Sequence, residues 1–267
     1  MFRFIAIMSL SAMVLLMLLP IGCSKDEDST LGPDHTSPAE QYLWVYGPAD
    51  SARVLFSGLP TIDAGGLEAI SLSAFVDTVL IPPFYDKDGT SYDARILYAY
   101  RIAADDGFCA HDKGYCDNIW EQMLLGYVQT ETRRTIFPDD LIDLPGAYNI
   151  KETRHIHACR KVDVNTPDTM VFFELADLNV VSVTNFDGEA ENAVALKDFI
   201  TPLIPSPGDH EYNMRSLDDF GPATNLTWEQ LQTGFWLLST GKTIFTDPDL
   251  TTGAYKLKAL REIIVCD

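Results

Sequence analysis

The chain has 267 residues, of which 46% are apolar and 11% aromatic, and this composition is typical of a packed globular protein. Its 39 Asp and Glu residues outnumber its 19 Lys and Arg residues, which gives a formal net charge of −20. A chain this acidic has no basic surface to displace counterions from phosphates. We therefore expect it to bind neither nucleic acid nor anionic lipid through charge.

The N-terminal segment, residues 1–22, is typical of a secretory signal peptide. Arg3 precedes an apolar stretch at residues 5–19, which is too short and wrongly flanked for a spanning helix. The stretch leads to Cys23, and this order resembles the signal of bacterial lipoproteins, although Pro20 stands where that family usually has Leu. The resemblance implies that Cys23 is lipidated and becomes the new N-terminus. It also implies a location in the bacterial cell envelope, at the outer membrane, with the lipid as the contact to the membrane.

Residues 23–41 follow as the lipidated cysteine and a flexible tether. Between residues 24 and 41 the one large apolar side chain is Leu31, so the segment buries too little surface to offset the cost of ordering it. A lipid at one end of this tether would hold the acidic body at a membrane that its charge does not attract.

The remainder of the chain contains an internal repeat. The segment that begins Trp-Glu-Gln at residue 120 returns at residue 228, and Gly-Ala-Tyr at residue 146 returns at residue 253. Further matches follow in the same order: 135–139 with 243–247, 70–76 with 194–200, and Arg154, Ile156 and Cys159 with Arg261, Ile263 and Cys266. We therefore predict a first repeat unit over residues 42–163 and a second over residues 168–267. The first carries an insertion, chiefly around residues 109–116.

Each unit is predicted to mix strands and helices. Residues 54–56 and 180–183 favour strands bounded by Gly, Pro, Asn and Asp. The two Trp-Glu-Gln segments favour short helices, and Thr227 with Gln230 fits a capping box at the second of them. Residues 148–159 and 255–266 alternate in polarity and are predicted to form terminal strands. These elements predict an α+β fold of two tandem repeats of one mixed strand and helix unit, forming a pseudo-dimer.

Three motifs in the first unit occur in a recognisable order. Tyr-x-x-x-Ala-x-Asp-Gly spans residues 100–107, Ile-Phe-Pro-Asp spans 136–139, and Gly-Ala-Tyr-x-x-Lys spans 146–151. This order resembles the molybdopterin-binding domain of the sulfite oxidase family, over residues 52–158 and again over 179–265. That family places a cysteine thiolate on the metal and basic groups around the pterin phosphate. Neither arrangement can be matched here residue by residue, so the resemblance implies a version of that domain without the cofactor.

His155, His157 and Cys159 form the sharpest candidate site. Residues two apart on a strand share a face, so both imidazoles and the thiol are expected to project the same way. Such a set can ligate Zn or Cu, with Cys159 as thiolate. The second unit lacks both histidines at the equivalent positions, so any such metal site belongs to the first unit alone.

The chain has five cysteines, and four remain once Cys23 is assigned to the lipid. An even number in a chain exported to an oxidising space makes two disulfides plausible, and four cysteines allow three pairings. Cys159 and Cys266 occupy matching positions in the two units, and their ends would meet if the units pack about a pseudo-twofold axis. Cys109 and Cys116 would then close a small local loop. We favour these two pairs.

No complete catalytic set is found in the sequence, and no catalytic residue and no cofactor are predicted. A Gly-x-Ser-x-Gly elbow, a glycine-rich phosphate loop and a His-Glu-x-x-His motif are all missing. The sequence therefore favours a lipid-anchored envelope protein with a non-catalytic binding or scaffolding role, whose partner is an envelope protein or a small ligand. The alternative is an envelope oxidoreductase, either of the molybdopterin type or with a metal at His155 and His157.

Overall fold

The computed structural model describes residues 41–48, 50–76, 81, 84–250 and 253–267. The predicted signal peptide, Cys23 and the predicted tether up to residue 40 lie outside the described residues. All described residues belong to one compact unit. Within this part of the chain, no helix has the length and apolar character needed to cross a membrane.

The described part of the chain forms short strands, short 3-10 turns and three α-helices. The elements up to the middle of the chain are β1 (Tyr42–Tyr46), β2 (Ser51–Leu55), β3 (Ile62–Asp63), β4 (Glu68–Ser71), α1 (Leu72–Phe75), β5 (Phe84–Lys87), β6 (Thr90–Asp93), β7 (Tyr98–Ala104), β8 (Asn118–Ile119), α2 (Trp120–Leu125), β9 (Tyr127–Gln129), β10 (Thr135–Ile136) and β11 (Thr153–Asn165). The remaining elements are β12 (Met170–Glu174), β13 (Val180–Thr184), β14 (Ala190–Ala195), β15 (Glu211–Ser216), α3 (Trp228–Leu231), β16 (Gly234–Leu237), β17 (Thr243–Phe245) and β18 (Leu260–Cys266). The 3-10 turns are Phe56–Gly58, Ala94–Leu97, Ala110–Lys113, Gly146–Tyr148, Leu175–Asp177, Leu196–Phe199, Pro207–Asp209, Pro248–Leu250 and Gly253–Tyr255.

The fold is mostly β, and the predicted α+β fold of mixed strand and helix units is wrong. The three α-helices of the described residues have only four to six residues each. The capping box between Thr227 and Gln230 does form, but the helix that it begins ends after one turn. Both helices that begin with Trp-Glu-Gln are short because of the glycine that follows each of them. A Cβ atom at Gly126 would lie 2.5 Å from Leu72 and Phe137, so the chain leaves the helix there and enters a strand packed against them.

The main element of the fold is an eight-stranded sheet built around β11. The sheet has the order β15-β18-β11-β1-β2, and β7 and β12 also pair with β11, while β8 pairs with β7. β1 runs parallel to the first half of β11, where Tyr46 lies opposite His157. β18 runs parallel to the second half, where Glu262 lies opposite Asp163. β7 and β12 run antiparallel along the first and second halves, respectively. β11 is continuous across residue 163, and the division of the chain into two units at that residue stays a prediction.

Two four-stranded sheets have the same strand order. One is β3-β4-β9-β10, the other is β13-β14-β16-β17, and all neighbours in both are antiparallel. Gly126 precedes β9 and Gly234 begins β16, and a Cβ atom at either glycine would meet a leucine and a phenylalanine within 2.6 Å. The matches in the sequence therefore coincide with a repetition of strand order and of close packing.

The apolar core consists of two main clusters, and β11 contributes to both. Ile156 and Ala158 belong to the first cluster, whereas Val162 and Val164 belong to the second. Because side chains two apart on a strand share a face, Arg160 lies on the same face between the two clusters. It is half-buried there.

Candidate functional site

A cavity of about 650 Å³ opens beside the middle of β11. β1 pairs with β11 as far as His157, and β12 joins it at Lys161, so the cavity lies where β11 changes partners. Its walls include Tyr46 from the end of β1, Tyr98 from β7, and Leu175 from the turn after β12. This volume is within the range of roughly 300–1,000 Å³ that is typical of small-molecule sites.

The two predicted histidines lie on one face of β11 and both contact Tyr46. The Tyr46 ring is stacked on His157, with centroids 4.3 Å apart, and its hydroxyl lies 3.4 Å from His155 Nδ1. The two imidazole rings lie 6.0 Å apart. Burial lowers the pKa of both histidines, and for His157 the neighbouring His155 and Arg101 lower it further. Both imidazoles are therefore neutral at physiological pH.

The predicted metal set of His155, His157 and Cys159 is not gathered into a metal centre. Among the residues that the structure describes, no three His, Cys, Asp or Glu side chains are placed to hold a metal ion. Side chains two apart on a strand are separated by about 6.5 Å, and Tyr46 packs against both imidazoles. Burial raises the pKa of Cys159, and nearby Glu174 adds to this, so the group is a neutral thiol.

Cys109, Cys116, Cys159 and Cys266 are all free thiols in the structure. On the parallel strands β11 and β18, Asp163 lies opposite Glu262. Cys266 is therefore about 26 Å along the strands from the level of Cys159, at roughly 3.3 Å per residue. A disulfide requires Cα atoms within about 7 Å of each other. Neither favoured pair is bonded here, and both pairings stay predictions.

Arg160 is the one charged residue in the described wall of the cavity. Its Nη1 donates a hydrogen bond to the Leu238 carbonyl at 3.1 Å, and its guanidinium lies 6.0 Å from the centre of the Trp236 ring. The nine ion pairs found among the described residues do not include Arg160. Among the described residues the Arg160 guanidinium makes no further hydrogen bond.

A second polar cluster combines Arg101 with two buried carboxyl groups. Arg101 Nε donates to both carboxylate oxygens of Asp117, at 3.1 and 3.0 Å, and Arg101 Nη2 lies 3.8 Å from Glu174 Oε2. Both acidic residues are 4% exposed, and Glu174 Oε2 accepts no hydrogen bond from the described residues. Burial, with a further contribution from Asp117, raises the pKa of Glu174 to about 7. Glu174 is therefore partly protonated near neutral pH.

The sequence analysis did not identify Arg101, Asp117, Arg160 or Glu174. Asp117 follows the inserted segment of the first unit, and that insertion is the one feature of the sequence that could have pointed to this residue. Arg160 directly follows the set of His155, His157 and Cys159 but was not part of it, and Glu174 occurs in a strand with no local motif around it. Their importance depends on which charged groups the fold brings near them.

No protein-family model, curated protein or solved structure matches this chain. The resemblances to bacterial lipoproteins and to the molybdopterin-binding domain of the sulfite oxidase family stay predictions.

Proposed function

We propose that this protein binds a small, largely apolar ligand in the cavity beside β11, without chemical conversion, and that a lipid on Cys23 holds it in the cell envelope. The observation that carries the binding role is the cavity itself, which has the volume of a ligand site and walls formed largely by Tyr46, Tyr98, Leu175 and Leu238. The aromatic rings offer rigid contact area that loses little entropy when a ligand binds.

The ionisation of the site supports binding over catalysis. Cys159 and His157 both line the cavity, and a cysteine nucleophile would need its thiolate form. Burial raises the pKa of Cys159 and lowers the pKa of His157, so neither group is charged at neutral pH. The alternative of an oxidoreductase with a metal at His155 and His157 draws no support from the described side chains, since none of them form a group of three ligands for a metal.

The binding role can be tested with a neutral apolar fluorophore, N-phenyl-1-naphthylamine. The described residues belong to one compact unit, so the chain from residue 24 is suitable for the titration. We expect saturable binding with one site per chain. The variant Ala176→Trp fills the cavity from an exposed position in its wall and should abolish the signal. The matched control Ala190→Trp changes an exposed alanine outside the cavity and should bind normally. Absence of saturable binding, or normal binding by Ala176→Trp, would show that the cavity is not a ligand site.

The envelope location can be tested separately. The full chain is expressed in a bacterium fed an alkyne-labelled fatty acid, and its label is compared with that of Cys23→Ser. We expect label and membrane association for the parent chain and neither for the variant. An unlabelled parent chain would contradict the lipid anchor and leave the binding role unaffected.

A further inference from the structure

Arg160 is one of two half-buried arginines that form no ion pair among the described residues, and it lines the cavity, whereas the other, Arg215, hydrogen-bonds to the Asn213 side chain. Acidic residues outnumber basic ones about two to one, 39 against 19. Arg95, Arg101, Arg133, Arg154 and Arg261 all form ion pairs. Arg160 forms none among the described residues, although it is half-buried and its desolvation is unfavourable.

The protein holds the Arg160 guanidinium in place without neutralising it. The hydrogen bond to the Leu238 carbonyl fixes one edge of the group, and the Trp236 ring lies near it. A Cβ atom at Gly241 would lie 3.1 Å from Nη1, so this glycine leaves room for the arginine. A positioned guanidinium with free N–H groups is the arrangement that binds carboxylates with two parallel hydrogen bonds.

Among the described residues that line the cavity there is no Asp or Glu, although Glu174 and Asp177 lie near enough to act on the Cys159 thiol. Burial lowers the pKa of His157, so Arg160 is the one residue of the described wall that is charged near neutral pH. The other contacts are apolar, from Tyr46, Tyr98 and Leu238. A molecule that matches this cavity has an apolar body and one negative group.

We propose, on the basis of the proposed function, that the ligand is an amphiphile with a single carboxylate, which Arg160 binds while the apolar chain lies against Tyr46, Tyr98 and Leu175. The cavity then selects against neutral molecules of the same shape, because they leave the guanidinium desolvated without a partner. It also selects against cations, which Arg160 repels.

The test compares laurate with 1-dodecanol, which has the same chain length and no charge. Each displaces N-phenyl-1-naphthylamine from the chain that begins at residue 24, and its dissociation constant is measured for the parent and for Arg160→Met. We expect Arg160→Met to weaken laurate binding about ten- to hundredfold, as for loss of a hydrogen bond between charged groups. The dissociation constants of 1-dodecanol and of the fluorophore should change less than about twofold. Arg160→Lys, which keeps the charge, should recover part of the loss, and Arg134→Met, at an exposed arginine outside the cavity, should have no effect.

The outcomes separate this inference from the proposed function. Equal laurate binding by the parent and Arg160→Met, with normal fluorophore binding, would overturn the role of Arg160 and leave the cavity as a binding site. Loss of laurate, 1-dodecanol and fluorophore together in Arg160→Met would show that the arginine is structural and would also overturn its role. A parent chain that does not bind the fluorophore at all would contradict the proposed function itself.

Discussion

Arg101 and Arg160 lie near the middle of the same sheet and have opposite surroundings. Arg101 is paired with Asp117 and lies near Glu174, so the fold supplies more negative charge there than the cation can neutralise. Arg160 has a backbone carbonyl and an aromatic ring, and no carboxylate among the described residues. Asp117, which Arg101 binds, follows the insertion of the first unit, whereas Arg160 lies where β11 changes partners. The fold supplies the partner of Arg101 itself, whereas the partner of Arg160 would be the carboxylate of the proposed ligand.

The largest expected effect is the loss of stability in Arg101→Met. The substitution leaves the buried Asp117 without its cation, which costs about 3 kcal/mol of unfolding free energy, at the low end for a buried pair because Arg101 itself is one-third exposed. Arg160→Met should cost only about 1 kcal/mol, since it removes one hydrogen bond to a backbone carbonyl. Urea denaturation of both variants measures the difference. Equal losses would remove the distinction between the two arginines.

The second effect concerns the pH dependence of stability in the Arg101 cluster. The folded protein holds a proton on Glu174 up to about pH 7, whereas an unfolded glutamate releases it near its ordinary pKa of 4.5. The stabilisation from this group is thus complete below about pH 4.5 and is lost as the pH rises through 7. Glu174→Gln should remove this decline, which amounts to at most about 3 kcal/mol at pH 8. Denaturation curves at pH 5, 6, 7 and 8 provide the measurement, with Glu189→Gln as an exposed control. A slope unchanged by Glu174→Gln would mean that the carboxyl group ionises normally.

The smallest effect is a difference in thiol protection between the two regions. Cys159 lines the cavity with Arg160, whereas Cys116 lies beside Asp117. Laurate should slow the reaction of Cys159 with N-ethylmaleimide severalfold, because a bound ligand covers the thiol, and should leave Cys116 unchanged. Peptide mapping by mass spectrometry follows both thiols in one sample. Equal protection of both would place the ligand elsewhere or indicate a general tightening of the protein.

Local patterns in the sequence predicted some elements of this fold well. The alternation at residues 148–159 and 255–266 indicated strands, and β11 and β18 cover most of these segments. The spacing of His155 and His157 correctly predicted a shared face, because the period of a strand is a local property. The helical content was overestimated, since the capping box at Thr227 marks where a helix begins and not how long it continues.

The candidate site could not be predicted in the same way. Arg160 is notable because no carboxylate among the described residues forms an ion pair with it. The position of its guanidinium depends on contacts with Leu238 and Trp236, which lie far along the chain. Glu174 has a raised pKa because it is buried and, in addition, because Asp117, which follows an insertion, lies near it. Neither environment leaves a motif in the nearby sequence.

The continuity of β11 also has a consequence for how the protein unfolds. Its first half contributes Ile156 to one apolar cluster and its second half contributes Val162 to the other. Neither cluster can lose this strand without exposing the other, so the two should melt together. A single calorimetric transition, with equal calorimetric and van't Hoff enthalpies, is therefore expected for a chain that the sequence divides into two repeats.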